Sequence, residues 1–98
     1  MKRYVLSRPA ERDLDVIKEY LAARAGAHVA RRVLREIRSA IRFLAGDPTA
    51  GHLREDLTTR PVRFWPLYSY LIVYDPESNP TRVLRVLHGM QDVEKILH

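Results

Sequence analysis

The sequence predicts an α+β domain in which a helical hairpin lies across one face of a small, mainly antiparallel sheet, in the order β-α-α-β-β-β-α. Three observations carry that prediction. Apolar residues recur at helical spacing over two adjacent stretches of the N-terminal half, and segments rich in aromatic and β-branched residues, bounded by turn formers, fill the C-terminal half. The length of 98 residues with no cysteine supports one domain, residues 1–98, because two halves without disulfides would each bury too little surface.

Residues 3–7 read as a short strand, and Ser7-Arg8-Pro9 supplies a cap and a proline suited to a first helical turn. A first helix follows over residues 9–25, with Ala10, Leu14, Ile17 and Leu21 inward, Val16 and Tyr20 flanking them, and Glu11, Asp13 and Asp15 placed where the helix dipole favours negative charge. Gly26 breaks it. A second helix over residues 28–45 has one apolar face of Ala30, Val33, Leu34, Ile37, Ile41 and Leu44, and Gly46-Asp47-Pro48 stops it. So short a link makes the two helices an antiparallel hairpin.

Residues 49–61 form a polar loop, and residues 62–65 a short strand that Pro66 interrupts. Residues 67–74 are apolar on both faces, as a central strand requires. The turn formers of residues 75–80 close a hairpin with a last strand over residues 81–88, and Asp92 caps a short terminal helix. The first strand has no partner nearby in sequence and must pair at long range.

Seventeen Lys and Arg against twelve Asp and Glu give a net charge of +5, and Arg outnumbers Lys fourteen to three. Residues 1–50 hold eleven basic and six acidic side chains, and residues 51–98 hold six of each, so the excess lies in the N-terminal half. An acidic partner is expected: nucleic acid, an enzyme that works on it, or an acidic peptide. Tyr4-Val5-Leu6 is too short for a signal-peptide core and no apolar run reaches membrane-span length, so a cytoplasmic protein with no membrane partner is expected.

His28, His52, His88 and His98 lack metal-ligand spacing, the glycines stand alone at element ends, and without Cys a covalent nucleophile has no prepared setting. No metal or cofactor is expected. Metal-free acid-base cleavage of RNA remains chemically open, with Arg54, Arg60, Arg63, Tyr68, Tyr70, Arg82, Arg85 and His88 as the available side chains. Tyr68, Tyr70 and Tyr74 also read as core or rim residues, and His88 as a structural strand end. Arg82 and Arg85, three apart on a strand, point to opposite faces unless a bulge intervenes. On the second helix Arg31, Arg35, Arg38 and Arg42 form one stripe beside the apolar face, with Glu36 the acidic residue between them. A solvated face is one explanation of the stripe; because the four arginines would repel one another, an acidic partner that covers it is the alternative.

The chain resembles toxins of the RelE/ParE superfamily from type II toxin-antitoxin modules, and is closer to the ParE branch. The resemblance spans nearly the whole chain. It rests on Tyr4-Val5-Leu6-Ser7-Arg8-Pro9-Ala10-Glu11-Arg12-Asp13-Leu14, Ile17 and Tyr20, Pro48-Thr49-Ala50-Gly51, Arg54-Glu55-Asp56-Leu57, Arg60, Tyr70-Leu71-Ile72-Val73-Tyr74, Arg85-Val86-Leu87-His88-Gly89 and Asp92. It implies the same α+β fold and a cognate antitoxin, ParD-like or of another kind, that wraps the toxin with a helix and an extended segment. Arg31, Arg35, Arg38 and Arg42 are then the antitoxin-binding candidates.

RelE-like members resemble ribosome-dependent nucleases that cut messenger RNA, whereas ParE-like members poison DNA gyrase and cut nothing. This sequence departs from the nuclease pattern: Gly89-Met90 follows His88, no tyrosine follows Tyr74, and Lys2, Lys18 and Lys95 fall outside the candidate cleft. The resemblance therefore implies gyrase inhibition, with Arg54, Arg60, Arg63 and His88 as target-binding candidates. The alternative is a nuclease acting on the ribosome and messenger RNA through Arg63, Arg82, Arg85 and His88.

Overall fold

Ser7 sets the start of the helical hairpin. The computed structural model of the protein describes residues 3–89 and 91–97; the readings above that touch Lys2, Met90 and His98 lie outside the described residues. Strand β1 (Tyr4–Leu6) leads into Ser7, whose backbone is extended and whose Oγ accepts the Ala10 N–H at 3.1 Å, capping α1 (Arg8–Ala25). The same hydroxyl donates to the Leu84 carbonyl at 2.7 Å and ties the helix start to the sheet. Ser7→Ala removes both bonds and is expected to cost about 1–2 kcal/mol, read as a lower urea midpoint at unchanged m-value.

Gly26 alone separates α1 from α2 (Ala27–Gly46), at φ 94° and ψ 159°, a backbone state that other residues rarely adopt. The chain therefore reverses within one residue, and the helices fold back on each other. Ala10, Leu14 and Ile17 of α1 join Ile37, Ile41 and Leu44 of α2 over the first face of the sheet. Leu21 is half-buried, whereas the flanking Val16 and Tyr20 are 64% and 53% exposed.

The sheet has the order β1-β4-β3-β2, with β2 (Arg63–Leu67), β3 (Tyr70–Asp75) and β4 (Thr81–His88) antiparallel in sequence order. The long-range partner of β1 is β4, and that pairing is parallel. Two strand boundaries differ from the sequence reading. Pro66 does not interrupt β2 but pairs with Leu71 inside it. Phe64 exchanges both backbone bonds with His52 on the outer edge, so Pro66, two residues on, turns its missing N–H toward the same outer edge. The expected strand over residues 67–74 is divided, because Leu67 ends β2 and a Tyr68-Ser69 turn leads to Tyr70. Tyr68 takes φ 55°, and no glycine or asparagine announced that turn.

The interior strand β3 is buried on both faces, as its apolar run requires. Its first face meets the helices. Its second packs in a smaller cluster of Val62, Phe64, Val73 and Leu87 with Val93 and Leu97 of α3 (Val93–Leu97), which Asp92 caps by accepting the Lys95 N–H at 3.3 Å. Between β3 and β4 the register jumps from Val73↔Arg85 to Tyr74↔Val83, leaving Leu84 as a bulged extra residue. The side chains of Ser7 and of α1 complete the bulge. Ser7 takes the Leu84 carbonyl, and Asp13 accepts the Val86 N–H at 2.9 Å while holding Arg85 through two bonds of 2.8 and 2.9 Å.

Candidate functional site

Helical periodicity places Arg31, Arg35, Arg38 and Arg42 on one flank of α2, and all four are exposed. With Leu14, Asp15 and Lys18 of α1 and Ala30 and Leu34 of α2 they line a groove of about 450 Å³ between the two helices. Its floor is apolar and its walls, Asp15 apart, are cationic. A second groove, of about 670 Å³, runs along β1 and again takes in Arg38 and Arg42, so the two cavities share a wall. Glu36 does not neutralise the stripe, because it lies on the other flank of α2 and accepts a hydrogen bond from the Tyr68 hydroxyl.

The two sheet edges differ. On β2, the His52 bridge and Pro66 leave little of the outer edge available for another strand. On β1, Arg3 O and Ser7 N bond β4, so alternation turns the amide groups of Tyr4 and Leu6 outward, toward the second groove. Tyr4 and Leu6 pack their side chains on the core while Val5 is exposed. An unpaired strand edge thus adjoins a cationic helix groove.

The other candidates are dispersed. Arg54 forms a bidentate pair with Asp56 at 2.7 and 2.9 Å, which raises the guanidinium pKa and lowers that of the carboxyl, in each case chiefly through the shared hydrogen bonds. Arg60 reaches the Leu97 carbonyl at 3.4 Å, and Arg63 donates to the Gly51 carbonyl at 2.8 Å. Arg85 is held by Asp13, which raises its pKa. Arg82 and His88 sit at opposite ends of β4, six residues and about 20 Å apart by strand rise. No single phosphodiester spans that separation. Of the four nuclease candidates, Arg63 and Arg85 are thus engaged in holding the fold, and Arg82 and His88 do not converge.

The sequence reading named Tyr70 and His88 but missed the cleft that they bound together with Val16 and Tyr20 on the other flank of α1. Val16 and Tyr20, one turn apart beside the apolar stripe of α1, were its signal on the helix side. It also missed a surface aromatic group in which the Trp65 ring lies 5.4 Å from Phe43 and stacks at 3° on His52. Among the described residues no group of three or more His, Asp or Glu side chains is placed to hold a metal ion, and no helix is long and apolar enough to cross a membrane.

A helical hairpin packed on a four-stranded mixed sheet is a ParE-like toxin fold. The family model described as ParE toxin of type II toxin-antitoxin system, parDE, matches residues 4–93, and the chain belongs to this family. A solved structure described as the chromosomal ParDE TA system from P. aeruginosa is similar at TM-score 0.75 and 20% identity, over 87% of this chain and 92% of that one. No curated protein matches the chain. The protein is a ParE-family toxin of a type II toxin-antitoxin system.

Proposed function

We propose that this toxin arrests bacterial growth by binding DNA gyrase, and that a cognate antitoxin neutralises it by filling the two adjoining grooves. The observation that carries the antitoxin reading is the exposed row of Arg31, Arg35, Arg38 and Arg42, which lines the helix groove, reaches the strand groove through Arg38 and Arg42, and has no ion-pair partner among the described residues. An amphipathic, acidic helix fits between α1 and α2, with its apolar side on Leu14 and Leu34. A following extended segment adds to the outward amides of β1. Burying the arginines against carboxylates relieves their mutual repulsion, which is a reason for the free toxin to favour the complex.

The gyrase reading rests on family membership and on the dispersal of the candidate nuclease residues. Cleavage through the 2′-hydroxyl needs a base, an acid and cations around one phosphate. Here Arg85 and Arg63 hold backbone and carboxylate groups instead, and Arg82 lies far from His88. The experiment is inducible expression with plasmid topology, DNA-damage response and protein synthesis followed together. Early DNA damage with translation intact is the expected result; prompt translation arrest with cut transcripts would establish the nuclease instead.

Replacing Arg38 and Arg42 together by Glu is expected to weaken antitoxin binding by about 2 kcal/mol, roughly thirtyfold, and to reduce its salt dependence. Titration calorimetry at two salt concentrations measures both. Unchanged affinity would move the antitoxin to another surface.

A further inference from the structure

We propose that the cleft between the outer flank of α1 and the ends of β3 and β4 is where the toxin grips its target enzyme, seating one large apolar side chain that neighbours a carboxylate. The inference rests on the reading that gyrase, a protein, is the target. The cleft holds about 300 Å³, at the lower bound of ligand-sized cavities, and is walled by Val16, Ile17 and Tyr20 of α1, Tyr70 of β3, and Val86 and His88 of β4.

Its walls are unlike those of a nucleic-acid site. Among the described residues no lysine or arginine lines it, and the Asp13 carboxylate in its lining is matched by Arg85. A phosphate entering here would meet the Asp13 carboxylate with no lysine or arginine in the lining to offset it. Val16 and Tyr20 instead leave an apolar wall open to solvent, and the Tyr70 ring, only 7% exposed, stands edge-on to His88 at 5.7 Å. Two aromatic walls and an aliphatic floor of Ile17 and Val86 are the setting in which an aromatic or branched anchor of a protein partner gains most from desolvation.

Charge at the rim identifies what stands beside that anchor. The Arg24 guanidinium lies 5.1 Å from the centroid of the Tyr20 ring and has no ion-pair partner among the described residues. A carboxylate adjoining the apolar anchor meets it. Val16 and Tyr20 sit on the flank of α1 away from Asp15 and Lys18, which line the basic groove, so target and antitoxin contact different sides of one helix.

The test uses the full chain with purified DNA gyrase and the antitoxin. Val16→Glu, Val16→Lys and Tyr20→Ala are each expected to raise the concentration for half-inhibition of supercoiling about tenfold or more. Antitoxin affinity and thermal midpoint should stay near those of the unaltered chain, because Val16 and Tyr20 are largely exposed. Weakening by both charges at position 16 marks burial of the site. Opposite effects of Glu and Lys would show long-range steering alone and overturn the cleft. Inhibition equal to that of the unaltered chain in all three variants would overturn the cleft while leaving gyrase as the target. An unaltered chain without effect on supercoiling would overturn the gyrase reading and this inference with it. A photo-reactive residue at position 20 that attaches to RNA on translating ribosomes, rather than to a gyrase subunit, would also overturn the proposal.

Discussion

Asp13→Ala is expected to lower stability by about 3 kcal/mol, enough to drop the thermal midpoint of a domain this size by about 12–20 °C. Asp13 accepts three hydrogen bonds from β4, two from Arg85 and one from the Val86 N–H beside the bulge. Its side chain is 13% exposed and that of Arg85 26%, so removal of the carboxylate leaves a mostly buried cation and a backbone donor unmatched. Partial hydration of Arg85 keeps the cost at the low end for a broken buried pair. Replacing Arg85 by Met in the same chain should recover part of the loss, because the stranded charge goes with it. A double-mutant cycle in urea measures the coupling, and a single-variant cost below about 0.5 kcal/mol would contradict the role assigned to Asp13.

Gly51→Val is expected to cost about 3 kcal/mol or more. A Cβ at this position would stand 2.8 Å from Cε1 of the fully buried Tyr74, so either the ring or the loop before β2 must move. Tyr74 cannot shift freely, because its hydroxyl donates to the Pro48 carbonyl at 2.6 Å and accepts the Gly51 N–H at 2.9 Å. Tyr74→Phe keeps the ring and removes both bonds, for an expected cost of about 2 kcal/mol. The phenol also sets a pH dependence. Burial is the main cause that raises the Tyr74 pKa above its ordinary value, and Tyr70 is raised by burial first and by Tyr20 second. The unfolded chain therefore loses these protons first, and stability falls as pH climbs from the ordinary tyrosine value of about 10 toward the higher folded values. Urea midpoints followed into alkali should fall less steeply for Tyr74→Phe than for the unaltered chain.

Local chemistry explains what was legible in the chain. A 3.6-residue apolar period placed Ala10, Leu14 and Ile17, then Ala30, Ile37, Ile41 and Leu44, on buried helix faces, and Ser7 and Asp92 marked helix starts because capping uses residues three positions apart. The same period put four arginines on one exposed flank. Each of these signals lies within a few turns of one segment, where the backbone geometry is already known.

Tertiary structure decided the rest. An apolar run over residues 67–74 cannot show that Tyr68 and Ser69 turn between two strands, and Pro66 reads as a break until β2 is known to be an edge. Whether Arg85 is available to a substrate depends on Asp13, 72 residues away, and on a bulge that exists only once β4 has paired. The cleft of Val16, Tyr20, Tyr70 and His88 likewise draws its walls from three distant segments. Periodicity reports which face of an element is apolar; what that face meets, and which charges are used up in meeting it, is fixed only when the elements pack.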